Sequence, residues 1–209
     1  MPGEDELIAQ RIEKIERMRA RGIDPYPART GRTHSAADAI AAFEAWEQGG
    51  ASGDAPQVSV AGRVTARRDM GKAAFIDLRD GSGRIQAFCK RDILGDAFER
   101  LDDTDLGDFI GVGGPLMRTR AGEVSVEARS IEMLSKALRP PPDKWHGIED
   151  TEIRYRQRYL DLMGNEEVRE TFRTRARVLA WIRRFLDGRG FIEVDTPVLQ
   201  AEAGGAAAT

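Results

Sequence analysis

The chain has 209 residues, 41% hydrophobic and 32% charged, with a formal net charge of −3: enough for one or two domains with a real core, and no global field drawing it to nucleic acid or membrane. Cys89 is the only cysteine and His34 and His146 are the only histidines, which excludes an internal disulfide and a Cys/His zinc site. No apolar run is long enough to span a membrane or act as a signal peptide, so a cytoplasmic protein without a membrane partner is expected.

In chain order, Gly3 to Gly22 reads as a helix, with Asp5 and Glu6 at its start and basic residues at its end. Leu7, Ile8, Ile12, Ile15 and Met18 form a narrow apolar stripe. Arg11, Lys14, Arg17, Arg19 and Arg21 give it a basic side, which suits either RNA phosphate or, equally, plain solvation beside Glu13 and Glu16. Pro25 and Pro27 stop the helix. Thr33 or Ser35 caps a second helix running to about Gln48, with Ile40, Phe43 and Trp46 near one face. Gly49 to Pro56 is a flexible link.

Val58, Val60, Gly62 and Val64 then alternate with polar residues, as in a half-buried strand. Ala74, Ile76 and Leu78 point to one side of the next strand, and Phe75, Asp77 and Arg79 to the other. An Asp80-Gly81 loop would set Phe75 opposite Gln86, and a Gly81-Ser82 loop shifts the pairing by two residues. Either way Phe75, Gln86 and Phe88 share a face, because only parity matters. Arg67, Arg68 and Arg84 are expected beside them, with Ile76, Leu78, Ile85 and Cys89 on the core side. From Val58 to Lys90 seven Lys and Arg (residues 63, 67, 68, 72, 79, 84 and 90) face three Asp, so the basic charge is local. Aromatics on a basic strand face suit base stacking, Gln86 offers a donor and an acceptor to a base edge, and arginines hold phosphate. A helix covering that face would instead bury both phenylalanines.

Asp92 to Asp103 reads as a helix, Asp108–Met117 and Glu123–Leu134 as strands. Three strands, a helix and two strands make the five-stranded Greek-key barrel of an OB-fold. Leu138 to Asp143, with three prolines, is a stiff extended linker. Glu167 to Asp187 is a long amphipathic helix with Val168, Phe172, Ala176, Leu179, Ile182 and Leu186 in register, and Phe191–Leu199 a strand. The fold class is α+β, mainly β. Its expected divisions are a helical extension at 1–56, the barrel at 57–137, a linker at 138–166 and a further domain beginning at 167–209.

The stretch GRVTARRDMGKAAFIDLRDGSGRIQAF resembles the anticodon-binding OB-fold of the class IIb aminoacyl-tRNA synthetases (lysyl, aspartyl and asparaginyl). The resemblance implies that Arg68, Phe75 and Gln86 read the middle anticodon uridine and that Glu123 contacts a flanking base. The opening helix with its G-I-x-P-Y-P, and above all R-Y-R-Q-R-Y-L-D-L at Arg154 to Leu162, resemble the lysyl branch. G-F-x-E-V-x-T-P (Gly190, Phe191, Glu193, Val194, Thr196, Pro197) resembles motif 1 of class II synthetases, whose helix and strand form the homodimer interface.

What the resemblance implies is a lysine–tRNA ligase that uses ATP and Mg²⁺ and takes tRNA-Lys as partner. It runs to Ala208, short of the motifs that bind ATP, lysine and Mg²⁺, so no catalytic residue and no cofactor site are expected in this chain. The other readings are a non-catalytic, truncated tRNA-binding module, an aspartyl- or asparaginyl-type fragment, and a generic single-strand-binding OB protein.

Overall fold

The structure, a computed structural model, describes residues 3–141, 148 and 150–197, and the chain divides into two compact units, 1–141 and 142–209. In the first unit, α1 (Glu4–Ala20) opens with Glu4, Asp5 and Glu6 in its first turn, where carboxylates suit the positive end of the helix dipole. Ile15 and Met18 bury, Leu7 and Ile8 half-bury, and Ile12 stays exposed.

Four of the five residues on the basic side of α1 make polar contacts within this unit. Arg11 is buried and donates to the carbonyls of Leu106, Ala137 and Arg139. Lys14 pairs with Asp105 at 2.6 Å, and Arg17 and Arg21 both pair with the buried Asp103. Arg19 alone of the five is exposed without a part in this clamp. The loop after residue 102 concentrates carboxylates and carbonyls that need donors once buried, and α1 supplies them.

Helix α2 (Ala36–Gln48) is capped by Ser35, whose Oγ accepts from the Asp38 N–H at 3.2 Å. Ala36, Ala39 and Phe43 enter the core, and Ile40 and Trp46 pack at its edge.

The barrel contains β1 (Gln57–Asp69), β2 (Ala73–Arg79), β3 (Arg84–Lys90), β4 (Phe109–Arg118), β5 (Val124–Glu127) and β6 (Ser130–Ser135). Their order is β1-β2-β3-β5-β4-β6, and a further β1–β4 pairing closes the sheet. Only β3 and β5 run parallel. The single strand expected at 123–134 is thus two: β6 pairs with residues 109–113 of β4, and β5 with residues 116–118. The break falls at Ala128-Arg129, where β4 passes so close that a Cβ on Gly114 would collide with the Glu127 carbonyl oxygen.

The helix expected at 92–103 is also two pieces, α3 (Arg91–Leu94) and a 3₁₀ segment (Gly95–Asp103). Gly95 has φ +54°, a conformation that stops the α-helix and that glycine adopts without strain. Leu94, Phe98 and Leu101 still reach the core, while Ile93 does not. Beyond β6, Lys136 Nζ lies 2.5 Å from Asp105 and 2.6 Å from Asp108, with the Lys136 and Asp108 side chains at 0% exposure. The stretch expected as a stiff extended linker from Leu138 is held to α1 at its start, where the Arg139 carbonyl accepts from Arg11 at 3.1 Å. Pro142 and Asp143 lie outside the described residues.

The second unit contains α4 (Thr151–Arg156), α5 (Arg158–Gly164) and α6 (Glu166–Asp187). The R-Y-R-Q-R-Y-L-D-L stretch folds around Asp161, which is fully buried and held by Arg154 at 3.0 Å, Asn165 at 2.6 Å and Arg158. None of α6 is buried, and Phe172, Leu179, Ile182 and Leu186 are exposed along it. The motif 1 strand is not formed over the described part, 191–197, where Phe191, Ile192 and Val194 are 62%, 86% and 70% exposed. A strand exists only by pairing, and no described segment offers it an edge. Val198 and Leu199, and the G-G-A-A-A-T end, lie outside the described residues.

Candidate nucleic-acid interface

The hairpin of β2 and β3 sets the site. Its pairs are Arg79 with Arg84, Asp77 with Gln86, and Phe75 with Phe88, the register of a turn centred on Gly81-Ser82. Asp80 fixes that turn: one carboxylate oxygen accepts from the Ser82 N–H at 2.8 Å and the Gly83 N–H at 3.0 Å. The other accepts from the Ala36 N–H at 2.9 Å, at the start of α2. Burial works to raise the Asp80 pKa, but a hydrogen bond from the Ser82 hydroxyl at 2.6 Å and these three backbone bonds outweigh it, holding it below the usual value.

Arg68 reaches the face through a β-bulge that the alternation did not reveal. From buried Val64, strict alternation would send residue 68 inward. Instead the β1–β2 register slips between Val64 and Ala66, so that Arg67 lies opposite Ile76 and Arg68 opposite Phe75. Arg68 thereby joins the outer face. Arg67, expected there too, donates to the carbonyls of Leu101 and Thr104 and closes the barrel end.

The four residues foreseen for anticodon contact, Arg68, Phe75, Gln86 and Glu123, are brought together on this one face. The Phe75 and Phe88 rings stack, with centroids 4.6 Å apart and planes 11° apart. Lys90 Nζ stands 4.8 Å from the Phe88 centroid and pairs with Glu127 at 2.9 Å. Both rings keep partial exposure.

Beside the rings runs a polar chain of six side chains. Asp77, only 5% exposed, accepts from Arg68 at 3.3 Å and from Arg84 at 3.0 Å. Arg84 also donates to Glu123 Oε1 at 2.6 Å. Gln86, 4% exposed, donates from Nε2 to Glu123 Oε2 at 2.9 Å, and its Oε1 accepts from Ser125 Oγ at 3.0 Å. Each end of the Gln86 amide thus keeps one further hydrogen-bonding capacity. Asp77, Arg84 and Ser125 complete the site. Asp77 was legible only as an outward strand residue, and Ser125 carried no signal because its strand pairs in parallel with β3. On the core side, burial pushes the Cys89 thiol pKa up to about 12, so it acts as a small core residue.

The motif 1 residues are not gathered into a site by the described chain. Gly190, Phe191, Glu193, Val194, Thr196 and Pro197 are exposed, and Glu193 pairs with Arg183 at 3.0 Å. Among the described residues no group of three or more His, Cys, Asp or Glu is placed to hold a metal ion. No described helix is long and apolar enough to cross a membrane.

A closed barrel of OB topology, with stacked aromatics and arginines on its open face, defines a nucleic-acid-binding module. The family described as "OB-fold nucleic acid binding domain" matches residues 58–134, and that described as "tRNA synthetases class II (D, K and N)" matches residues 150–209. Lysine–tRNA ligases are 52% identical over 208 residues in Dehalococcoides mccartyi, 51% over 207 in a Roseiflexus species and 48% over 205 in Enterococcus faecalis. Each alignment covers 98% of this chain and 41% of the relative. The chain thus combines an OB-fold nucleic-acid-binding domain with the start of a class II (D, K and N) tRNA synthetase domain, is similar to these lysine–tRNA ligases over nearly its whole length, and spans about 41% of theirs.

Proposed function

We propose that this chain is the anticodon-reading part of a lysine–tRNA ligase that joins lysine to tRNA-Lys in the cytoplasm with ATP and Mg²⁺. The observation that carries this reading is the Phe75–Phe88 stack set against the Arg68–Asp77–Arg84–Glu123–Gln86 chain on the open face of the barrel. In it, Phe75 stacks on the middle anticodon uridine and Gln86 hydrogen-bonds its edge. Arg68, held by Asp77, meets the base edge or a phosphate. Glu123 belongs to the same anticodon-binding set. The exposed apolar residues of α6, with Gly190 to Pro197 after it, are offered as part of a homodimer contact. Their exposure supports that reading, since apolar surface of this kind marks association.

A photocrosslink tests the site directly. An anticodon stem-loop carrying 5-iodouridine at the middle position should crosslink to the peptide containing Phe75 or Phe88. A crosslink confined to peptides off this face would overturn the assignment.

A further inference from the structure

Glu123 turns both carboxylate oxygens toward neighbours on the barrel, Oε1 to Arg84 and Oε2 to Gln86. Its effect falls on Gln86. An amide has a donor end and an acceptor end of nearly equal shape, and a half-turn of the group exchanges them. Uracil and cytosine differ by the same exchange, since uracil offers N3–H beside O4 and cytosine offers N3 beside its N4 amino group. A glutamine free to turn therefore fits either base.

Gln86 is not free to turn. Ser125 is no obstacle, because a hydroxyl donates or accepts as required. A carboxylate only accepts, so turning the amide would set its Oε1 against Glu123 Oε2, oxygen against oxygen, where a 2.9 Å hydrogen bond now stands. Arg84 holds Glu123 in place, and Asp77 holds Arg84 at 3.0 Å. We propose that Glu123 is a positioning residue that makes this face distinguish uracil from cytosine by fixing the Gln86 amide in one orientation. The inference rests on the proposed base-reading role of the face.

The test compares two anticodon stem-loops that differ only in the middle base, uridine or cytidine, on the wild-type chain and on Glu123→Gln, Glu123→Ala and Ser125→Ala. The ratio of the two affinities cancels any general gain from removing a negative charge. Glu123→Gln, which presents either end of its own amide to Gln86, should lower the uridine preference by about tenfold, the scale of one mispaired buried polar group. The change should come from better cytidine binding. Glu123→Ala should do the same, and Ser125→Ala should keep the preference. Equal loss for both bases in the Glu123 variants, or an unchanged ratio, overturns the inference while leaving the base-reading role intact. A wild-type chain that binds both stem-loops equally overturns the base-reading role together with it.

Discussion

Replacing Phe75 with alanine separates recognition from folding, because its ring has two partners of different kinds. One is Phe88, stacked at 4.6 Å with planes 11° apart. Offset aromatic pairs of this kind contribute about 0.5–1.5 kcal/mol beyond their area burial, so part of the substitution's effect appears in stability. The other is the base proposed to lie on the exposed side of the ring, where removal of an aromatic costs about 1–3 kcal/mol per stacked base. Phe75→Ala should therefore weaken binding of a lysine-type anticodon stem-loop by about 5- to 150-fold at fixed salt, since 1.4 kcal/mol is a factor of ten. Phe75→Leu retains most of the apolar contact with Phe88 and loses the flat stacking surface. It should keep nearly the wild-type unfolding midpoint while binding as poorly as the alanine variant. The assay is a fluorescence-anisotropy titration of labelled stem-loop, paired with thermal unfolding of the same samples. A Phe75→Leu protein that binds RNA as tightly as wild type refutes the stacking role.

The remaining predictions concern the scaffold that holds this face. Lys136→Met strips the counter-charge from Asp108, which like Lys136 is fully buried, and should cost about 3–5 kcal/mol in urea unfolding. Lys14→Met, which removes a partly exposed partner of Asp105, the other carboxylate that Lys136 holds, should cost about 1 kcal/mol or less, and equal costs would refute the buried clamp. For Asp105, burial raises the pKa, but Lys136 and Lys14 outweigh it and the net shift is downward. Its contribution is therefore present above the ordinary carboxylate value of 3.8 and lost as pH falls through the depressed one. Asp105→Asn should flatten the acid limb of the stability–pH curve, and an unchanged limb contradicts the assignment. Gly114→Ala should destabilise the barrel by about 2 kcal/mol or more, because a new Cβ meets the Glu127 backbone rather than a yielding side chain. A wild-type melting curve for that variant would show that the β5–β6 break does not depend on the glycine.

Much of the barrel was written in local pattern. Alternation placed Val58, Val60, Val64, Ile76, Leu78 and Ile85 in the core, and parity alone put Phe75, Gln86 and Phe88 on one face whichever turn formed. The Arg67–Arg68 pair shows where pattern stops. A bulge adds one residue to one strand and leaves no mark in composition, yet it decides which of two adjacent arginines faces outward. The split of the last strand at Ala128-Arg129 and the 3₁₀ segment after Gly95 are likewise decided by tertiary contact. Charge was legible in amount but not in destination: the basic side of α1 answers the carboxylates near residues 103–108, far off in sequence. The network around Gln86 was half visible. Gln86 and Glu123 were singled out, but their mutual hydrogen bond depends on the parallel β3–β5 pairing.

The central claim is that this face reads the lysine anticodon, and competition among anticodon stem-loops tests it most directly. The chain, holding labelled lysine-type stem-loop, is challenged with unlabelled lysine-, asparagine- and aspartate-type loops at one salt concentration. The lysine-type loop should displace the label at the lowest concentration, with Phe75→Ala abolishing the ranking. An asparagine- or aspartate-type loop displacing it first, or all three displacing it equally, would contradict the account.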